Sequence, residues 1–134
     1  MIHTIDIKTG SKVEFQDVTS RIRDVVSGSS IENGICYVYV PHTTAGVMTN
    51  EHADPSVVED IGNHFADMVP QHRNYRHMEG NSPAHIKASI IGSSQMIFIE
   101  NRKLVLGTWQ GIFFCEFDGP RSRHLLVKIV TDNP

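Results

Sequence analysis

The sequence has only two cysteines, one tryptophan and three tyrosines in 134 residues, and no apolar run in it is longer than a strand requires. Each scarcity excludes something. Two cysteines, Cys36 and Cys115, are too few for a disulfide framework, and no Cys-x-x-Cys pair is present. Both lie in apolar, strand-like runs and read as small buried hydrophobes. A transmembrane helix needs about 20 consecutive apolar residues, which this chain lacks. Met1-Ile2-His3-Thr4 has neither the basic nor the apolar region of a secretory signal. Positive charge is also short: the formal net charge is -3, whereas a general nucleic-acid binder carries a basic surplus. These absences lead us to expect a cytoplasmic protein that engages neither nucleic acid nor membrane.

What the chain does have is histidine, eight residues of it. Apolar residues make up 40% and charged residues 20%, enough for one domain with its own core and too apolar for disorder. No repeat, low-complexity tract or linker divides the chain.

Ile5 and Ile7 alternate with Asp6 and Lys8, which predicts an opening strand. After a Thr9-Gly10-Ser11 turn, Val13 and Phe15 predict a second strand, joined to the first as a hairpin. Val18, Ile22, Val25 and Val26 recur at helical spacing, with Asp17 or Thr19 as cap and Gly28 as stop. Residues 35–40 are apolar at every position and read as a central strand covered on both faces. A short strand follows over 45–49. Asp54-Pro55 marks a helix by cap and first-turn proline, and Val57, Val58, Ile61, Phe65 and Met68 give its apolar stripe.

A polar loop leads to Ser82-Pro83, which opens a third helix with Ser82 as N-cap and Gly92 as stop. Residues 96–99 and 104–106 read as a hairpin about the Asn101-Arg102-Lys103 turn, and 112–117 and 125–130 as further strands. The expected fold is a single α+β domain of largely antiparallel, sandwich-like sheets, with about seven to nine strands and about three helices.

Residues 75–87, Tyr-Arg-His-Met-Glu-Gly-Asn-Ser-Pro-Ala-His-Ile-Lys, show no period in their first half, so packing does not explain them. A helix start at Ser82 puts His85 and Lys87 on its first two turns, where amides and the helix dipole favour an anion. The stretch reads as a polar pocket for a metal, a phosphate or both. His42, His77 and His85 each sit at the edge of a regular element, and imidazole suits zinc, although their spacing matches no short zinc motif. His3, His52, His72 and His124 read as ordinary exposed residues.

Among the carboxylates, Glu51 has no structural task and lies beside Asn50, which suits a general base or metal partner. Asp60 shares a helix flank with His64. Asp54 caps its helix, and Glu116 alternates with phenylalanines in a strand and should face solvent. Arg121 and Arg123 follow a turn and offer guanidinium forks to a phosphate, or simply charge a sheet edge. Asn81, Ser82, Ser94 and Thr108 add polar groups close to small-residue turns that approach anions. Trp109 is a core plug or a flat face for a ring, the core reading being the stronger.

With those segments in view, the chain resembles the YjbQ-like family, small proteins linked to a secondary thiamine-phosphate synthase activity. The matching blocks are His42-Thr-Thr-Ala-Gly-Val through Asn50-Glu51 and Asp54-Pro55, with Asp60; residues 75–87; Gly92-Ser-Ser94; Gly107-Thr-Trp-Gln-Gly111; and 116–123. The resemblance implies a compact α+β homotrimer with its polar blocks near the subunit interface. It further implies a histidine cluster for a divalent ion, zinc or magnesium, which maps here to His42, His77 and His85. The reaction implied joins a hydroxymethylpyrimidine diphosphate to a thiazole phosphate and releases pyrophosphate, so the partner is a small phosphorylated metabolite. Glu51, Asp60 and Lys87 are the expected catalytic residues. A metal-dependent phosphate-ester hydrolase and a non-catalytic trimeric binding module for a phosphorylated metabolite are the alternatives.

Overall fold

A computed structural model describes residues 1–133. Eleven elements follow one another: β1 (Ile2–Lys8), β2 (Glu14–Asp17), α1 (Thr19–Gly28), β3 (Gly34–Tyr39), β4 (Ala45–Glu51), α2 (Pro55–Met68), α3 (Ser82–Ile91), β5 (Ser94–Glu100), β6 (Lys103–Leu104), β7 (Gln110–Glu116) and β8 (Ser122–Thr131). They form an α+β domain with a five-stranded sheet in the order β1-β8-β3-β5-β6 and a three-stranded sheet in the order β2-β7-β4. Every strand pair is antiparallel. No helix among the described residues is long and apolar enough to cross a membrane.

The larger core lies between the sheets. Ile5, Ile7, Val38, Ile97, Leu125 and Val127 of the five-stranded sheet meet Val47, Ile112 and Phe114 of the smaller one, with Ile22 and Val26 of α1 closing the same cluster. A second core lies on the far side of the three-stranded sheet. There Met48, Phe113, Cys115 and Phe117 pack on Ala84 and Ala88 of α3 and on Val58 and Ile61 of α2. The small sheet is therefore covered on both faces and the large sheet on one.

That layering corrects three expectations. Thr9-Gly10-Ser11 does not close a hairpin: β1 pairs with β8, whereas β2 pairs with β7 in the other sheet. Strand β3 is buried on one face only, because Cys36 and Val38 point into the core while Tyr37 and Tyr39 remain 44% and 49% exposed. The strand covered on both faces is β7, so Glu116 has no solvent face to point to and is fully buried. Asp54 caps α2 as expected, accepting from the Ser56 amide at 3.0 Å. The β5–β6 hairpin turns through Asn101 and Arg102, both at positive φ. Burial pushes the Cys36 thiol up to about 11 and raises that of Cys115 as well, which keeps both in the neutral form.

Two glycines set the seating of α3. Gly92 ends the helix at φ +94°, a conformation that disfavours any side chain. Its carbonyl accepts from the Val47 amide at 3.1 Å. A Cβ on Gly46 would lie 2.6 Å from that same oxygen, so only glycine lets β4 and the end of α3 approach this closely.

Candidate functional site

Helix α3 turns the two halves of the predicted pocket away from each other. His85 and Lys87 are two positions apart, so their side chains leave the helix about 200° apart. On the His85 side, His42, Thr43, His85, Ser89 and Ser93 line an open cleft of about 540 Å³. His85 also lines a neighbouring cleft of about 300 Å³ with Tyr75, Arg76, His77, Ser82 and Ile86. The His77 and His85 rings meet edge to face, centroids 5.3 Å apart. One imidazole thus borders both clefts.

His42 is held as a neutral acceptor. Its Nε2 receives the backbone amide of His124 at 3.0 Å, which places the neutral ring's proton on Nδ1. Partial burial lowers its pKa, and the charges of Arg123 and His124 lower it further. The His124 ring lies 5.2 Å from that of His42, centroid to centroid.

Among the described residues, no three histidine, cysteine or acidic side chains come together as a group able to hold an ion. His42 has already committed one ring nitrogen, and Glu79 approaches His77 only at 4.0 Å on the exposed surface. Within one chain these residues do not fit a three-ligand zinc or magnesium cage.

The helix start is less open to an anion than its sequence promised. Asn81, not Ser82, is the N-cap, and its carbonyl takes both the Ala84 and His85 amides, at 3.0 and 3.4 Å. Pro83 has no amide to give. The Asn81 side chain turns away, donating to Asp118 at 2.9 Å, while its buried Oδ1 has no partner. Arg121 also holds Asp118, at 2.9 Å, and is half exposed. Burial raises the Asp118 pKa, but the hydrogen bonds from Asn81 and Arg121 and the charges of Arg121 and Lys12 hold it below the usual range.

Arg123 is buried against Glu116. Its Nε donates to Glu116 at 2.9 Å and its Nη2 to the Thr44 hydroxyl at 2.8 Å. Thr9 donates to the same carboxylate at 2.7 Å, and the Asp118 amide donates at 3.1 Å. Desolvation pushes the Glu116 pKa up, yet these hydrogen bonds, led by Arg123, bring it below its ordinary value. Arg123 therefore ties β8 to β7 and to the loop carrying His42 and Thr44.

The remaining predicted residues lie elsewhere. Glu51 pairs with Gln110 at one end of β4, and Ala45 pairs with Glu116 at the other, ends about 20 Å apart along a seven-residue strand. Asn50 bonds the Glu51 amide at 2.7 Å and shares that remote end with Thr108 and Trp109. Trp109 is 62% exposed, so it does not plug the core; its carbonyl, not its ring, is engaged, by the His52 amide at 2.9 Å. Asp60 is exposed on α2, and Ser94 is exposed where β5 begins, next to Ser93. His52 is no ordinary exposed residue, since its Nδ1 lies 2.8 Å from Asp17. Sequence reasoning did not single out Thr43 or Ser89. Ser89 stands one helical turn after His85 on α3, a spacing that could have found it.

The family model described as "UPF0047 protein YjbQ-like" matches residues 3–132, which include every element lining these clefts. The chain belongs to the YjbQ/UPF0047 family. A UPF0047 protein of Methanocaldococcus jannaschii is 52% identical over 98% of this chain and 96% of its own length. The UPF0047 protein YugU of Bacillus subtilis is 46% identical over 97% and 99%. A crystal structure of a YjbQ/UPF0047 protein from Clostridium acetobutylicum superposes with a TM-score of 0.94 at 50% identity, covering 96% of this chain and 99% of that one. A hypothetical protein of Aeropyrum pernix does so with a TM-score of 0.93 at 35% identity, covering 98% and 99%. The antiparallel two-sheet fold is thus the YjbQ fold.

Proposed function

We propose that this YjbQ protein is a transferase of the thiamine-phosphate synthase type, acting on small phosphorylated metabolites at the His85 clefts. One observation supports the reading above the others: a single imidazole borders two adjoining compartments of about 540 and about 300 Å³. Joining two ring systems requires two substrates side by side, with their reacting atoms meeting beside one proton-carrying group. In the reaction, the thiazole nitrogen bonds to the exocyclic methylene carbon of the pyrimidine as the carbon–oxygen bond to diphosphate breaks. The electron pair leaves on pyrophosphate. His85, at the shared wall, donates to the departing oxygen, while Arg76 and Ser82 hold phosphate oxygens in the smaller cleft. Neutral His42, with its Nδ1 proton, and Thr43 and Ser93 supply hydrogen bonds to the heterocycle in the larger one.

The reading includes a homotrimer. Its support is the outer face of the five-stranded sheet, where Tyr37, Tyr39, Met96, Phe98 and Val130 are 44–56% exposed as one apolar patch, a composition suited to a subunit interface. Phe98→Glu should lower the oligomer mass in light scattering, and a wild-type monomer at micromolar concentration would remove the trimer.

The deciding assay measures thiamine phosphate from the two phosphorylated substrates with purified protein, with and without added zinc or magnesium. His85→Ala should lower the rate by about 100-fold or more. Inorganic phosphate from one substrate alone would indicate a phosphate-ester hydrolase instead. Tight binding without product would indicate a binding module.

A further inference from the structure

Arg23, Arg102 and Lys103 meet in a cleft that the transferase reading leaves unused. With Val26, Ser27 and Leu104 they line about 400 Å³ between α1 and the start of β6. None of the ion pairs among the described residues includes any of the three cations. Val26 and Leu104 are buried and form an apolar floor, whereas the three cations and Ser27 are exposed. The cleft shares no lining residue with either His85 cleft.

Two elements bring the cations together. Arg23 and Ser27 stand four positions apart on α1 and so leave the helix on one face. Arg102 and Lys103 come from the β5–β6 turn, where Asn101 and Arg102 lie at φ +51° and +66°. Asparagine tolerates that conformation, but the second position of such a turn favours glycine, not arginine. The chain is nonetheless held there by the α1–β3 loop. The Asn101 amide donates to the Asn33 side chain at 3.2 Å, and the Arg102 amide donates to the Glu32 carbonyl at 2.8 Å. The position gives up backbone ease and gains a guanidinium beside the cleft.

We propose that this cleft binds a small phosphate monoester carrying an aromatic or aliphatic body. Arg23 and Arg102 offer guanidinium forks to the phosphate oxygens, Lys103 adds a point charge, and Ser27 donates its hydroxyl. The body of the ligand rests on Val26 and Leu104. Asp24 follows Arg23, and Glu100 faces Lys103 across the turn. These acids limit the positive field to the cleft, which favours a compact anion over a nucleic-acid backbone.

The test follows amide shifts of isotope-labelled protein by nuclear magnetic resonance during titration with phenyl phosphate, inorganic phosphate or phenol. Phenyl phosphate should move residues 23–27 and 102–104 saturably. Its affinity there should exceed that of inorganic phosphate about tenfold, because the ring covers the apolar floor. Arg102→Gly supplies the residue that the turn's backbone favours, so it removes the guanidinium without endangering the fold. Affinity for phenyl phosphate at this cleft should then fall about tenfold. Absence of saturable shifts at these residues overturns the proposal, and so does unchanged affinity in Arg102→Gly. Inorganic phosphate binding as tightly as phenyl phosphate overturns it too, by making the cleft a general anion patch. Phenol binding as tightly would do the same by making it a merely apolar pocket. The readout is binding at residues outside the His85 clefts, so this inference and the proposed function fail separately.

Discussion

Arg123 and Lys87 are buried to nearly the same degree, 6% and 7% exposed, and their surroundings are opposite. Around Arg123 the fold supplies a carboxylate, a threonine hydroxyl and a carbonyl within hydrogen-bond reach, and the carboxylate is itself bonded by Thr9 and the Asp118 amide. Around Lys87, in the cleft between β2, α2 and α3, it supplies phenylalanine rings, a second lysine and, on the cleft walls, Glu14 and Glu59, neither of them in an ion pair with it. Burial of a charge therefore does not by itself mark a structural cross-link; the presence or absence of built-in partners does. The paired cation acts as a cross-link holding the His42 loop, whereas Lys87 stands among rings without an ion pair.

The largest effect expected from that contrast is on stability. Arg123→Met leaves Glu116 ionised and uncompensated inside the protein, and removing one partner of a buried pair costs about 3–5 kcal/mol. Denaturant unfolding should show that loss, with Lys87→Met at or above wild-type stability in the same experiment. If Arg123→Met lowers stability by less than about 1 kcal/mol, the two cations are not the different objects described here.

A middle-sized effect lies in pH. The Glu116 pKa is lowered by folding, so its contribution to stability is present above the unfolded value near 4.5 and is lost as pH falls through the lower folded value. Glu116→Gln should therefore be less stable than wild type at neutral pH, by about 2–4 kcal/mol. The gap should narrow progressively in acid, as both proteins come to carry a neutral side chain beside Arg123. A gap that stays constant down to low pH would mean that the charge on Glu116 contributes nothing.

Much of this architecture was legible in local chemistry. Asp54-Pro55 announced α2, the Asn101-Arg102 turn announced the β5–β6 hairpin, and the polar stretch 75–87 does border the candidate clefts. The misread features were all matters of what covers what. Alternation along a strand tells which residues share a face; it is silent on whether a helix or a second sheet lies over that face. Hence the face of β7 carrying Glu116 was taken for a solvent face although the five-stranded sheet covers it, and β3 was given a cover that the large sheet lacks. Glu116 and Arg123 are seven positions apart across a turn, and each had an ordinary exposed explanation, so their pairing emerged only from the sheet register. His85 and Lys87 looked like parts of one pocket because they are neighbours in sequence. Helical geometry, which the sequence did contain, already assigned them to opposite sides.

The smallest effect is the most specific to Lys87. Its pKa is lowered by folding from the ordinary 10.5, so between the folded value and 10.5 the unfolded chain binds more protons than the folded one, and stability rises with pH across that window. Lys87→Met removes the titrating group and with it that rise. The variant's advantage over wild type should be greatest below the folded pKa and should shrink as pH approaches 10.5. Matched urea denaturations at neutral and alkaline pH read the difference directly, because other groups titrate alike in both proteins. A gap that widens with pH would show Lys87 stabilised as a cation in the fold, with Glu14 or Glu59 of the cleft wall as its partner.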